Sequence, residues 1–420
     1  MDMGLQAQSA LGLLVLTGLA WLFSERRRRV DWRLVATGMG LQIGTALLFL
    51  YAPPVRSAVF SLNAVVDALQ RASQAGSQFV FGFIGGGEPP FAVTNPAHMT
   101  SLAFQALPLI LLMGALSALL CHWRILPLLV RGFALVMART MKVSGAAGLA
   151  SASMVFLGMV EAPLLIRPWL TRLTRAELFV LFTVGLATLS GTVLALYAAI
   201  LAPALPDALG HILVASIISL PAAATIAAIM VPETDTPVAE RNASLHLPYR
   251  SSIDAITHGT EDGLRLYLSV VAMLLVAVAL VTLANLMLGA LPAVGDAPLT
   301  VERLFGWLFA PLAWVLGIPW QEAFTAGSLL GTKIILNEFV AYLQLAALPP
   351  ETLSQRSSLI MLYAMCGFAN LGSVGILIAG FTSLCPERRE EILQLAPRSL
   401  MSGMLATCMT GAVIGLLPMS

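Results

Sequence analysis

Glu161 and Glu338 are the side chains of this sequence with the most chemistry to offer and the least polar company. Glu161 stands in SASMVFLGMVEAPLLIRPWL and Glu338 in GTKIILNEFVAYLQL, both of them acids within apolar runs. A charge at the centre of a membrane helix costs about 2.5–3.5 kcal/mol on insertion scales, so such an acid is a functional hypothesis by default. Gly158 and Pro163 flank Glu161 and break a helix through it, and broken backbone at membrane depth persists only in protein or beside a wet cavity. Each acid also has a plainer explanation. Glu161 can cap orphan N–H groups at the break or pair with Arg167, and Glu338 can pair with Lys333. Asn337, next to Glu338, adds polarity that an ion pair does not need.

A second polar constellation lies in MCGFANLGSVGILIAG, where helical spacing puts Asn370 and Ser373 on one face after Phe368. One aromatic ring with two hydrogen-bonding groups suits a small polar ligand. The same Asn and Ser can instead join neighbouring helices by hydrogen bonds, with the glycines allowing close approach. Enzyme motifs are missing: there is no DDxxD, HExxH, GxSxG or Walker loop, and none of the five histidines pairs at metal spacing. No catalytic residue and no cofactor is expected. The glycines at 85–87, before Pro89 and Pro90, read as a turn.

Membrane helices must position these groups. Hydrophobic residues make up 58% of the chain and charged residues 11%, against roughly 25% charged in soluble domains. With a mean hydropathy of +0.87 this is an integral membrane protein. A net charge of +1 without a charged tail gives nucleic acid nothing to bind. Cys121, Cys366, Cys385 and Cys408 lie apart without CxxC spacing and read as buried thiols. The first apolar run is followed by Arg26–Arg29, the reverse of a secretory signal, so it reads as a retained span with its N-terminus outside. Spans of about 20 apolar residues are expected at Leu5–Phe23, Leu34–Tyr51, Leu102–Cys121, Leu178–Leu201, Ile212–Val231, Leu266–Leu288, Ser358–Gly380 and Leu400–Leu417. Their even number returns the C-terminus to the outside.

Other stretches are too broken or too polar to span. Val55–Phe83 and Leu126–Met141 are amphipathic and read as interfacial helices on the outer and inner faces. Gly145–Pro168 and Leu304–Leu345 are apolar, interrupted by Gly and Pro, and each carries an acid near its middle, as re-entrant hairpins do. Each is followed by an apolar span interrupted by small and polar residues, GLATLSG at 185–191 and GFANLGS at 367–373. Two broken elements in matching places are the best sequence pointer to an inverted repeat with a site at its midplane.

GMVEAPLLIRPWLTRLTRAELFVLFTVGLATLSGTVLALYAAIL, GTKIILNEFVAYLQL and MLYAMCGFANLGSVGILIAG closely resemble the bacterial concentrative nucleoside transporters, and FVFGFIGGG, TMKVSGAAG and ERRRRVDWR extend the resemblance over nearly the whole chain. It implies an all-α polytopic fold of eight transmembrane helices, two re-entrant hairpins and two interfacial helices, assembled as a homotrimer in the bacterial inner membrane among its lipids. It also implies nucleoside import with Na⁺ or H⁺ by a transport domain sliding on a scaffold. On this basis residues 1–123 are expected to belong to the scaffold, 124–231 to the first hairpin and its broken helices, 232–303 to a cytoplasmic loop and scaffold helix, and 304–420 to the second transport half. Carried over by motif, Glu338, Asn370 and Ser373 would bond the ribose hydroxyls, Phe368 and Val193 would pack on the nucleoside, and Glu161 would lie beside the base.

The chain departs from the family at the first hairpin. Where the family has Gly-Gln-Thr-Glu or Gly-Gln-Ser-Glu, this sequence has Gly158-Met159-Val160-Glu161, so two base-reading groups are apolar and altered base selectivity is expected. Met154 replaces the Asn that ligates Na⁺ in sodium-coupled relatives, and a thioether is a poor ligand for a hard cation. Proton coupling through Glu161 or Glu338 is the sharper expectation. Na⁺ held by Thr188 and the carbonyls of Val155, Leu157 and Leu189 stays open. So do a symporter of another small polar metabolite and a non-transporting sensor or scaffold, though the latter needs none of these costly polar groups.

Overall fold

Apolar runs become helices, and the short polar residues between them set where each begins. The computed structural model describes residues 2–94, 99, 101–141, 144–159, 162–163, 167–202, 204–205, 207–235, 249–294 and 297–418. The first helices are α1 (Asp2–Leu22), α2 (Trp32–Tyr51), α3 (Pro53–Phe60), α4 (Leu62–Phe81), α5 (Leu109–His122), α6 (Ile125–Thr140) and α7 (Gly145–Leu157). The middle of the chain forms α8 (Arg175–Ala187), α9 (Gly191–Leu201), α10 (Ala208–Met230) and α11 (Ser252–Gly289). Then follow α12 (Val301–Val315), α13 (Trp320–Ile335), α14 (Glu338–Ala347), α15 (Gln355–Met365), α16 (Leu371–Leu384) and α17 (Arg389–Leu416). Asp31 caps α2 by accepting from Arg33 N and Leu34 N, Ser144 caps α7 through Ala147 N, and Thr174 and Glu177 close a reciprocal capping box on α8.

Among the described residues, seven helical stretches are long and apolar enough to cross a membrane, including Leu102–His122, Arg175–Leu201 and Pro386–Leu416. The span expected at Ser358–Gly380 is instead two helices, α15 and α16, parted at Cys366–Asn370. Its counterpart α8–α9 is parted at Thr188–Ser190. The two interruptions touch: Gly367 has φ +157°, and a Cβ there would lie 2.8 Å from the carbonyl carbon and oxygen of Ala187. Glycine is required because backbone meets backbone at this point.

The region Leu304–Leu345 holds two turns where one was expected. α12 and α13 meet at 117°, at an elbow where Gly317 adopts φ +101° and Pro319 starts α13. The hairpin proper is α13–α14, and its tip is Leu336–Asn337. Glu338 therefore opens the second leg, with Asn337 capping it through Val340 N at 2.9 Å. The first hairpin rises through α7 to Gly158 at φ +102°. The amphipathic stretch expected at Val55–Phe83 divides at Ser61 into α3 and α4, and the one expected at Leu126–Met141 is α6.

α8, α10 and α17 are buried on nearly every side and form the centre, with α1 and α2 packed on α10 and α17. The long helix α11 stands apart against α5. Gly114, Gly259 and Gly263 bring their backbones together there, a Cβ on Gly114 falling 3.1 Å from Gly263 Cα, as small residues do between membrane helices. Most of the remaining surface of α11 is apolar and exposed. The four cysteines are buried and unbridged.

Candidate substrate site

The site grows out of the second hairpin tip and the two helix breaks. Because α16 starts at Leu371, its first N–H groups lack helical partners, and Asn370 Oδ1 accepts from Ser373 N at 2.8 Å. That cap fixes which end of the amide faces away, and Asn370 Nδ2 donates to Glu338 Oε2 at 3.0 Å. The other carboxylate oxygen, Oε1, accepts from Tyr197 Oη of α9 at 2.6 Å. A buried carboxylate is thereby held between two donors from two different helices. An ionised carboxylate offers about four lone-pair sites, so two protein donors leave it capacity to accept from a ligand.

Around this group lies a cavity of about 220 Å³, smaller than the about 300–1,000 Å³ of drug-sized pockets and suited to one small molecule. Its polar lining includes Glu338, Asn370, Ser373, Asn337, Ser190 and Thr192. Its apolar lining includes Val193, Phe368, Met159 and Leu157, and α11 contributes Leu266, Val270 and Met273. A small ligand with hydroxyls to donate to Glu338 and a ring to pack on the apolar residues is compatible with this lining.

Of the expected site residues, the structure brings together Met159, Val193, Glu338, Phe368, Asn370 and Ser373. Val160 and Glu161 lie outside the described residues. Leu157 lines the cavity, while Met154, Thr188 and Leu189 are buried and do not line it. Thr188 Oγ1 donates to Val184 O at 2.8 Å, leaving its lone pairs. Met154 acts as packing: a Cβ on Gly185 of α8 would meet Met159 Cβ at 3.0 Å and Met154 Sδ at 3.5 Å. Lys333 does not pair with Glu338; its Nζ donates to Ala364 O and Thr407 Oγ1.

Sequence reasoning missed Tyr197 and the wall from α11. Tyr197 sits four residues after Val193, hence on the same helix face, and a hydroxyl in an otherwise apolar span was the available signal. Leu266, Ser269, Val270 and Met273 recur at the spacing of a single helical face, but nothing in their types distinguishes a cavity wall from a lipid contact. Two arginines outside the cavity tie segments distant in sequence together: Arg388 donates to Leu170 O and Leu173 O at 3.0 and 2.7 Å, and Arg175 pairs with Glu25 and Glu391.

A helical bundle whose two interrupted helices meet at a mostly apolar cavity holding a buried carboxylate is a membrane transport fold. Three family models match the chain: the Na⁺-dependent nucleoside transporter N-terminus over residues 11–84, nucleoside recognition over 103–204, and the Na⁺-dependent nucleoside transporter C-terminus over 211–415. Nucleoside permease NupC of Helicobacter pylori is 33% identical over 413 residues, 97% of both chains. Solute carrier family 28 member 3 of Rattus norvegicus is 32% identical over 97% of this chain and 58% of its own length. The structure of CNTnw in an inward-facing substrate-bound state superposes with a TM-score of 0.87 at 33% identity, covering 98% of each chain. The chain belongs to the concentrative nucleoside transporter family, whose members are carriers and not enzymes.

Proposed function

We propose that this protein is an inner-membrane symporter that imports nucleosides with a cation by an elevator-like movement. Glu338 held between Tyr197 and Asn370 at the polar end of an otherwise apolar cavity carries the reading. Vicinal ribose hydroxyls donate to the free lone pairs of Glu338, and Asn370 and Ser373 complete the sugar contacts. The base lies against Phe368 and Val193. Met159 touches its edge, and Val160 and Glu161 belong to the same hairpin end. The thioether of Met159 adapts to a ring without reading its polar pattern, so base choice is relaxed.

Coupling to a proton is favoured by Met154, which packs on Gly185 where a sodium ligand would be needed. Na⁺ held through Thr188, Leu157 and Leu189 is the alternative. Segments 124–231 and 304–420 supply the moving body, while α11 of 232–303 with α5 of 1–123 forms the fixed part. α1 and α2, expected in the scaffold with the rest of 1–123, pack on α10 and α17 and are assigned to the moving body instead. The exposed apolar face of α11 meets lipid and the partner protomers of a homotrimer. Both termini lie outside, with the arginine turn Arg27–Arg29 inside.

Proteoliposomes containing the purified protein, given labelled uridine or adenosine under separately imposed H⁺ and Na⁺ gradients, test this. Accumulation under the proton gradient is expected. Accumulation of neither nucleoside under either gradient ends the symport reading, and driving by Na⁺ alone replaces the proton.

A further inference from the structure

Lys333 is a buried charge that substrate binding leaves without a role. It is 1% exposed, and among the described residues it makes no ion pair. A buried ammonium must find compensation elsewhere. Its Nζ donates to Ala364 O at 2.9 Å and to Thr407 Oγ1 at 2.6 Å. The hydroxyl of Thr407 donates in turn to Met404 O at 3.1 Å, so its oxygen is free to accept. Ala364 is the last residue but one of α15, where carbonyls have no helical partner and carry the negative end of the helix dipole. Tyr342 Oη, from the other leg of the hairpin, donates to Leu362 O at 3.0 Å. Glu338 meanwhile sits at the positive end of the next helix, bonded to its cap Asn370. The two charges flanking the hairpin tip therefore face opposite dipole ends of the broken helix, and do not face each other.

Neutral oxygens gathered around one positive charge at a helix break resemble a monovalent-cation site, here filled by a side chain. At the matching depth of the first hairpin, two residues before the helix end, stands Val155. We propose that Lys333 is a tethered cation: its ammonium occupies a built-in monovalent-cation site between α13, α15 and α17 and fixes the end of α15, from which the chain runs on to Phe368 and Asn370 of the cavity, so that this half takes up no ion. Lys333 is thus a positioning residue, and the proposal rests on the nucleoside reading of the cavity.

The test is equilibrium binding of labelled uridine and adenosine to purified full-length protein, without any gradient, in N-methylglucamine buffer titrated with NaCl or methylammonium chloride. Lys333→Ala is expected to bind about tenfold more weakly than wild type, the scale of a charge lost at a partly buried helix end. Either small cation should restore binding saturably. The larger Lys333→Met side chain leaves less room and should not be rescued. The unfolding temperature of Lys333→Ala should rise with the same cations and that of Lys333→Met should not, which covers a variant too unstable for the binding assay. Wild-type binding of Lys333→Ala, a loss that neither cation repairs, or equal rescue of Lys333→Met each overturns the tethered cation. Failure of the wild type to bind either nucleoside overturns the substrate reading instead, and the unfolding temperatures still decide the fate of the Lys333 proposal.

Discussion

The two helix breaks are built to the same plan and finished differently. At the second, the protein satisfies its own backbone: Asn370 caps α16, while Tyr342 and Lys333 reach the last carbonyls of α15. At the first, Thr188 turns back on its own helix, its N–H and Oγ1 reaching Val184 O at 3.1 and 2.8 Å. Ser190 holds the cap position of α9, but its hydroxyl bonds Thr192 Oγ1 and no backbone N–H. Among the described residues, the start of α9 therefore has no side-chain cap, and Ser190, Thr192 and Val193 face the cavity with it. A half whose groups are satisfied can present a rigid carboxylate. A half that leaves helix ends open must have them completed by what binds, or by water.

If the second half is the rigid recognition element, the largest loss should come from Glu338. Glu338→Gln keeps the shape, removes the charge and replaces one acceptor oxygen by a donor. Hydrogen bonds to a charged group are worth about 1.5–3 kcal/mol each, so loss of two to the sugar reduces kcat/KM for uptake by roughly 100-fold or more. Tyr197→Phe removes one of the two donors that hold the carboxylate and should cost about tenfold, the effect of roughly 1.4 kcal/mol. Initial rates of uridine uptake at equal surface expression measure both. If Tyr197→Phe equals Glu338→Gln, the tyrosine binds the substrate itself; if both transport normally, the second half is not the recognition element.

The first half offers the opposite experiment, a gain. Met159→Gln puts an amide where an apolar side chain lines the cavity. A hydrogen bond to a base contributes about 0.5–1.5 kcal/mol net, so the ratio of uridine to adenosine kcat/KM should move by about two- to tenfold. An unchanged ratio with unchanged rates would mean that the base does not reach Met159, and the division of labour between the halves would need to be redrawn.

The difference between the halves also explains what can be read from the chain. Acids in apolar runs and small polar residues between apolar stretches are local signals. They mark both breaks and single out Glu338, Asn370 and Ser373, which the structure gathers at one cavity. Partners across the fold leave no local trace. Lys333 reads as an ion pair with Glu338 because sequence distance is short, while its acceptors Ala364 and Thr407 lie 31 and 74 residues away. The elbow at Gly317 merges with the hairpin tip in sequence because both are interruptions of one apolar region. Tyr197 gives no hint of Glu338, its partner 141 residues along the chain.

The smallest effect concerns how the halves are tied together at their far ends. Glu25, in the turn after α1, donates its backbone N–H to Met230 O at 2.9 Å. Its carboxylate accepts from Arg175 of α8 at 2.9 Å and from Arg398 of α17, so one acid bridges a helix of the first half and a helix of the second. The Arg175 hydrogen bond outweighs partial burial and holds the Glu25 carboxyl below the ordinary glutamate value. A carboxyl lowered in the folded state stabilises fully above its unfolded value, and that stability is lost as pH falls through the lowered folded value. The unfolding temperature of Glu25→Gln should therefore lie slightly below wild type at neutral pH. The gap should close in acid, once pH passes below the usual carboxylate range of about 4. A gap that persists unchanged through acid pH would mean that Glu25 acts by packing and not by charge. The two halves would then be joined at this end by shape alone.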